Sequence, residues 1–170
     1  MSMRRDRPVL KTILYLVFLV LIYVLETANI PLMLFGFHID LLPCIPAAVA
    51  LMEGPFFGGL FGLLTGVLYD VGFTGVDGLF PLYYMLFGIA AGAVSMRFLR
   101  RMFPSMLLLS TCGMLLIGMM RYGFSVLLFA HAPFPLAFQS MCGEILVSTL
   151  LSPLVYFPVR TIARRFDRML

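Results

Sequence analysis

Long apolar segments separated by short polar breaks run along almost the whole chain. Glycine and proline mark several of the breaks, as at Glu53-Gly54-Pro55, where these residue types favour a turn. In a bilayer, an apolar segment of this kind is most simply a membrane-spanning helix. The pattern predicts six such spans, at about residues 12–25, 39–52, 56–69, 81–95, 103–130 and 136–157.

The second and third predicted spans are short. A helix of about 14 residues rises about 21 Å, whereas the hydrocarbon core of a bilayer is about 30 Å thick. These two spans either extend into their apolar flanks and cross fully, or form a re-entrant helical hairpin that enters and leaves from the outer side. Both alternatives leave the direction of the later spans unchanged.

The composition supports a membrane protein and excludes an ordinary soluble domain. Of the 170 residues, 62% are hydrophobic and only 12% are charged, and the mean hydropathy is +1.04. A soluble domain of this length needs more polar side chains to cover its surface. The polar remainder is confined to the termini and a short link, so residues 1–170 are predicted to form one integral membrane domain of the all-α class.

The placement of the basic residues predicts the orientation of the chain. The net charge is +4, and the basic residues lie in three clusters, at 4–11, 97–101 and 160–168, with Arg121 as the exception. Six spans with both termini inside place all three clusters in the cytoplasm, as the positive-inside bias requires. These clusters flank apolar segments and form no folded basic surface, so nucleic-acid binding is not expected.

A stripe of glycines is the main packing motif. Gly58, Gly62 and Gly66 recur every four residues, and Gly88 and Gly92 repeat that spacing on the next span. Residues four apart share one face of a helix, and small residues on such a face let helices approach closely in a membrane. These five glycines are therefore predicted to form a helix-packing or partner interface.

Ionisable residues inside membrane spans are costly and usually face the protein interior. Glu26, Asp40 and Asp70 are predicted at the outer ends of their spans, and Arg121 and Glu144 roughly 14 Å and 12 Å below the outer end of theirs. The five are predicted to form an intramembrane polar cluster. One alternative is an Arg121–Glu144 ion pair that locks the last hairpin. The other is a polar cavity in which Arg121 meets several carboxylates or a small anionic ligand.

The motifs give no case for an enzyme. Tyr69-Asp70 and Gly75-Val76-Asp77 only faintly resemble the paired motifs of intramembrane aspartyl proteases, which need two carboxylates on separate spans. His38 and His131 lie in outer connections without carboxylate or thiol neighbours, which makes a weak metal site. No catalytic residue, metal or cofactor is predicted.

The middle of the chain resembles the MreD family of bacterial rod shape-determining membrane proteins. The resemblance is carried by Ile39-Asp40-Leu41-Leu42, by the segment 58–70 (GGLFGLLTGVLYD), by Gly78-Leu79-Phe80 and by the segment 83–88 (YYMLFG). The proline that typically precedes the aspartate at the start of span two in that family is replaced here by Ile39. The matching region covers about residues 39–101.

This resemblance implies a non-enzymatic scaffold of the cell-elongation machinery in the bacterial plasma membrane. Such a protein would bind MreC directly. It would be linked with MreB, with RodA and with a penicillin-binding transpeptidase, and would help maintain rod cell shape through lateral peptidoglycan synthesis. Membrane lipid would contact its basic cytoplasmic ends.

A second hypothesis comes from the substrate-binding S-components of energy-coupling-factor vitamin transporters. These are also small six-span proteins, and MreD-like chains resemble their fold. In that interpretation the polar cluster around Arg121 would bind a small vitamin. S-components commonly carry a small-xxx-small motif on span one, however, and residues 12–25 contain neither alanine nor glycine.

Overall fold

The computed structural model describes residues 6–27, 40–72, 78–98, 102–129 and 134–167, and almost all of them lie in helices. Helices are expected for apolar chain in lipid because each helix satisfies its own backbone hydrogen bonds. No strand occurs in these ranges. The helices are α1 (Asp6–Thr27), α2 (Cys44–Glu53), α3 (Pro55–Gly72), α4 (Leu79–Phe98), α5 (Phe103–Phe129), α6 (Phe134–Leu151) and α7 (Pro153–Asp167).

The short helix α2 is the centre of the bundle. All residues from Cys44 to Met52 are buried, and α3, α4, α5 and α7 pack around them. The helix ends at Gly54, whose φ of +94° suits glycine and whose N–H donates to the Ala50 carbonyl at 3.0 Å. Pro55 then begins α3, a position at which proline costs no helical hydrogen bond. The result is a tight α2–α3 hairpin.

The core joins α1, α2, α3, α5 and α7 through large buried side chains. Tyr15 of α1 meets Phe61 of α3 edge to face, with ring centroids 5.8 Å apart. Tyr156 of α7 lies 5.4 Å from the ring of Phe103, which begins α5. Together with Met106 these side chains surround α2 on several sides.

Within the described residues, four segments are long and apolar enough to cross a membrane: Val9–Thr27, Leu79–Phe98, Phe103–Met120 and Cys142–Phe166. Apolar side chains also cover the outside, as on α1, where Val17 and Val24 are each 54% exposed. These findings confirm the prediction of an all-α membrane protein. α2 and α3 are apolar but shorter than these segments. The number of spans, six, therefore stays a prediction.

Two predicted spans differ from the observed helices. The second was expected to begin near Ile39, but α2 begins at Cys44, after a turn that ends with Pro43 at the N-cap. The sixth was expected as one span over 136–157, but a turn at Ser152 divides it into α6 and α7. Pro153 has no N–H to continue the hydrogen-bond pattern of α6, which explains the break.

Candidate functional site

The glycine stripe of α3 brings the backbones of α3 and α4 into direct contact. A Cβ atom added to Gly62 would lie 2.8 Å from the carbonyl carbon of Tyr84, and one added to Gly66 would lie 2.6 Å from the carbonyl oxygen of Phe80. At Gly58 the added atom would lie 2.6 Å from the carbonyl oxygen of Gly88. The backbones of α3 and α4 therefore touch along the whole stripe, as close packing through small residues allows.

The two glycines predicted on α4 take part in the same contact. A Cβ at Gly88 would lie 2.5 Å from the carbonyl carbon of Gly58, and a Cβ at Gly92 would lie 2.7 Å from the carbonyl carbon of Gly54. Leu60, Leu63 and Val67 lie on other faces of α3 and are 37–44% exposed. Because α4 of the same chain covers the stripe, another helix is more easily accommodated on those exposed faces.

The Glu26 side chain binds the backbone just before α2. Its Oε1 accepts hydrogen bonds from the N–H groups of Leu41 and, at 3.2 Å, Leu42. A carboxylate at this position satisfies donors that precede the helix and complements the positive end of its dipole. The end of α1 is thereby tied to the start of the buried helix.

Asp40 and Glu144 meet at a small cavity beside that junction. The N–H of Asp40 donates to Ser148 Oγ at 3.0 Å. The cavity has a volume of about 30 Å³ and is lined by both carboxylates and by Pro43, Met114, Ile117, Gly118, Ile145 and Ser148. A space of this size holds one or two water molecules. It is far smaller than the roughly 300–1,000 Å³ of a typical small-molecule site.

Asp70 and Arg121, the other two predicted cluster residues, have different positions. Asp70 Oδ2 accepts a 2.6 Å hydrogen bond from the N–H of Gly78, so this carboxylate ties the end of α3 to the residue that precedes α4. Arg121 belongs to α5, but its side chain lies outside the part of the chain that the structure describes. The Arg121–Glu144 ion pair therefore stays a prediction.

A second polar contact, not predicted from the sequence, joins α1 to the α2–α3 turn. Lys11 Nζ lies 2.7 Å from Glu53 Oε1, and the Tyr15 hydroxyl donates to the same oxygen at 2.9 Å. Both charged side chains are mostly buried, at 14% and 15% exposed. Of the two predicted topologies, the one in which the second and third spans cross fully puts Lys11 and Glu53 at the same membrane face, and their opposite charges were the available signal.

The charged side chains thus sort to two ends of the bundle. We call the end with Lys11 and the α2–α3 turn the basic end, and Arg97, Arg164 and Arg165 lie in the last turns of α4 and α7 there. The Phe103–Tyr156 contact places the start of α5 and the first turns of α7 toward that end. The opposite, acidic end holds Glu26, Asp40, Asp70 and Glu144.

Within the described ranges, no group of three or more His, Cys, Asp or Glu side chains is placed to hold a metal ion. Comparisons of the chain with protein-family models, with characterised proteins and with solved structures found no match. The resemblance to MreD proteins, and through them to the S-component fold, therefore rests on the sequence motifs and stays a prediction.

Proposed function

We propose that this chain is a multi-pass membrane scaffold of the MreD type. It crosses the bacterial plasma membrane six times with both termini in the cytoplasm. It binds MreC, works with MreB, RodA and a penicillin-binding transpeptidase, and supports rod shape through lateral peptidoglycan synthesis. Its role is to hold partners and not to catalyse a reaction.

The observation that carries the proposal is the way in which the family-like segment folds. Residues 39–101 supply α2, α3 and α4, the most extensively packed part of the bundle. The glycines that contribute most to the resemblance are the ones that bring the α3 and α4 backbones together. A closely packed unit of this kind suits a protein whose task is to present fixed helix faces to other helices.

The separation of charges supports the proposed orientation. The basic end collects Lys11, Arg97, Arg164 and Arg165 of the described residues, as expected for the cytoplasmic face. Arginines at that face also suit contact with anionic lipid. The carboxylates of the acidic end then belong to the opposite side of the membrane.

The vitamin-transporter alternative is less well supported. Among the described residues, the cavity between Asp40 and Glu144 measures about 30 Å³, whereas a typical small-molecule site measures roughly 300–1,000 Å³. Buried side chains of α1, α2 and α7 fill the centre of the bundle. An S-component would need a large opening of these helices to admit its ligand.

Co-expression with MreC from the same organism tests the proposal. The tagged chain is expected to retain MreC through detergent extraction. The control Gly123→Leu is expected to do the same, because a Cβ at Gly123 meets no atom of the described residues within 4 Å. Gly62→Leu is expected to lose most of the retained MreC, because it separates α3 from α4. Absence of MreC from the wild-type eluate contradicts the scaffold.

A further inference from the structure

One face of α7 changes from apolar to basic toward the end of the helix. Leu154, Phe157, Thr161 and Arg164 follow one another at spacings of three and four residues, so they share one side of the helix. All four are exposed, and Leu154 and Phe157 are each 58% exposed. Arg160 lies one turn before Arg164 and is partly buried at the border of the same side. We call these five residues the α7 face.

Aromatic rings hold Arg160 in place. Its guanidinium lies 5.5 Å from the centre of the Tyr156 ring, a distance at which a cation is attracted to the face of the ring. Tyr156 is fully buried and packs against Phe103. The ring of Phe157 stacks on Phe103 as well, with centroids 6.4 Å apart and an angle of 11° between the rings. The start of α5 therefore supports both the arginine and the exposed ring beside it.

The positive charge of this face is open to a partner. In the part of the chain that the structure describes, neither Arg160 nor Arg164 forms an ion pair with a carboxylate, and Glu53 of the same end is already paired with Lys11. Arg165 adds another exposed basic side chain next to Arg164. The planar N–H fork of a guanidinium matches the oxygens of a phosphate group. The basic half of the α7 face therefore suits a phosphate.

The dimensions of the face suit a whole phospholipid. The helix rises about 15 Å from Leu154 to Arg164, which is half of the roughly 30 Å hydrocarbon core and so the depth of one leaflet. The apolar half belongs to the segment Cys142–Phe166, which is apolar enough to cross a membrane. When Leu154 and Phe157 lie at the level of the acyl chains, Arg164 lies at the level of the headgroups.

We propose that the α7 face binds an anionic phospholipid. Arg160 and Arg164 hold the phosphate, and an acyl chain lies on Phe157 and Leu154. On the proposed orientation, on which this inference rests, the basic end faces the cytoplasmic leaflet, where anionic lipids give the membrane surface its negative potential. A general attraction of basic ends for such lipid needs no fixed position, whereas this site has one lipid position and two named ligands.

Native mass spectrometry of the purified chain with added lipid tests the proposal without any partner protein. Phosphatidylglycerol is the anionic probe, and phosphatidylcholine with the same acyl chains is the neutral control. The wild-type chain is expected to retain phosphatidylglycerol several-fold more than phosphatidylcholine. Equal retention of the two lipids overturns the proposal, and it is the result expected if the face binds a protein helix. Because MreC is absent, a failure here leaves the scaffold proposal standing, and loss of MreC binding leaves the lipid site standing.

Variants of equal charge locate the site. Arg164→Gln changes an exposed side chain and should remove most of the preference for phosphatidylglycerol, and the double variant with Arg160→Gln should remove all of it. Arg97→Gln removes the same charge near the end of α4 and should keep the preference. Far-ultraviolet circular dichroism checks that each variant is folded. Equal losses in Arg97→Gln and Arg164→Gln mean that net charge alone attracts the lipid, and a folded double variant that keeps the preference also refutes the site.

Discussion

Replacing Gly62 by alanine is the smallest change that tests the packing of α3 on α4. The added methyl group would lie 2.8 Å from the carbonyl carbon of Tyr84 and 3.2 Å from Cα of Met85. Carbon atoms in normal contact are about 3.5–4.0 Å apart. The obstacle is backbone and not a flexible side chain, so the two helices must separate to admit the methyl group.

The expected loss of stability in Gly62→Ala follows from two opposing effects. Overpacking typically costs about 1–3 kcal/mol, and a clash with backbone belongs at the upper end of that range. Alanine is favoured over glycine within a helix by about 1 kcal/mol. Gly62→Ala is therefore expected to lower the free energy of unfolding by about 2 kcal/mol, the difference between those two values.

The control is Gly123→Ala on α5, where an added Cβ meets nothing within 4 Å in the part of the chain that the structure describes. This variant gains the same stability from the higher helix propensity of alanine and suffers no overpacking. The free energies of unfolding of the two variants should therefore differ by about 3 kcal/mol. SDS-induced unfolding in mixed micelles, followed by far-ultraviolet circular dichroism, measures both, since the chain has no tryptophan for fluorescence. Equal stability of the two variants would refute the close contact between α3 and α4.

Three further changes address the polar contacts. Lys11→Met is expected to lower the free energy of unfolding by about 3 kcal/mol, because it leaves the mostly buried Glu53 without its ion pair. Adding Glu53→Gln should restore part of that stability in the same unfolding assay. If it restores none, the ion pair is refuted. Glu26→Ala should lower the free energy of unfolding by about 2 kcal/mol, because it removes the acceptor of two backbone N–H groups. Hydrogen exchange of the amides at the start of α2 should become faster, and an unchanged exchange rate would contradict this prediction. Arg121→Ala should destabilise the protein in detergent, with part of the loss restored by Glu144→Gln, whereas additive thermal destabilisation would exclude their pairing.

The helices with sharp boundary signals were predicted well from the sequence. The fifth predicted span, 103–130, agrees with α5, Phe103–Phe129, and the fourth, 81–95, lies within α4, Leu79–Phe98. In both cases basic residues of the 97–101 link adjoin a continuous apolar segment. The hydropathy contrast at such a boundary is large, so its position is visible without tertiary information.

The interior of the bundle could not be predicted in the same way. Hydropathy does not distinguish a lipid-facing helix from one that protein surrounds, so the full burial of α2 was not visible. The Lys11–Glu53 contact joins residues far apart in sequence, and topology alone only places them at one membrane face. The division at Ser152 was missed because apolar character continues from α6 into α7.

Affinity purification of the tagged chain from native membranes, with mass spectrometry of proteins and small molecules in the same eluate, tests the central claim most directly. The scaffold account predicts that MreC is recovered in amounts close to those of the chain, with no vitamin retained. Recovery of a bound vitamin together with the energy-coupling module of a transporter, and without MreC, would contradict it.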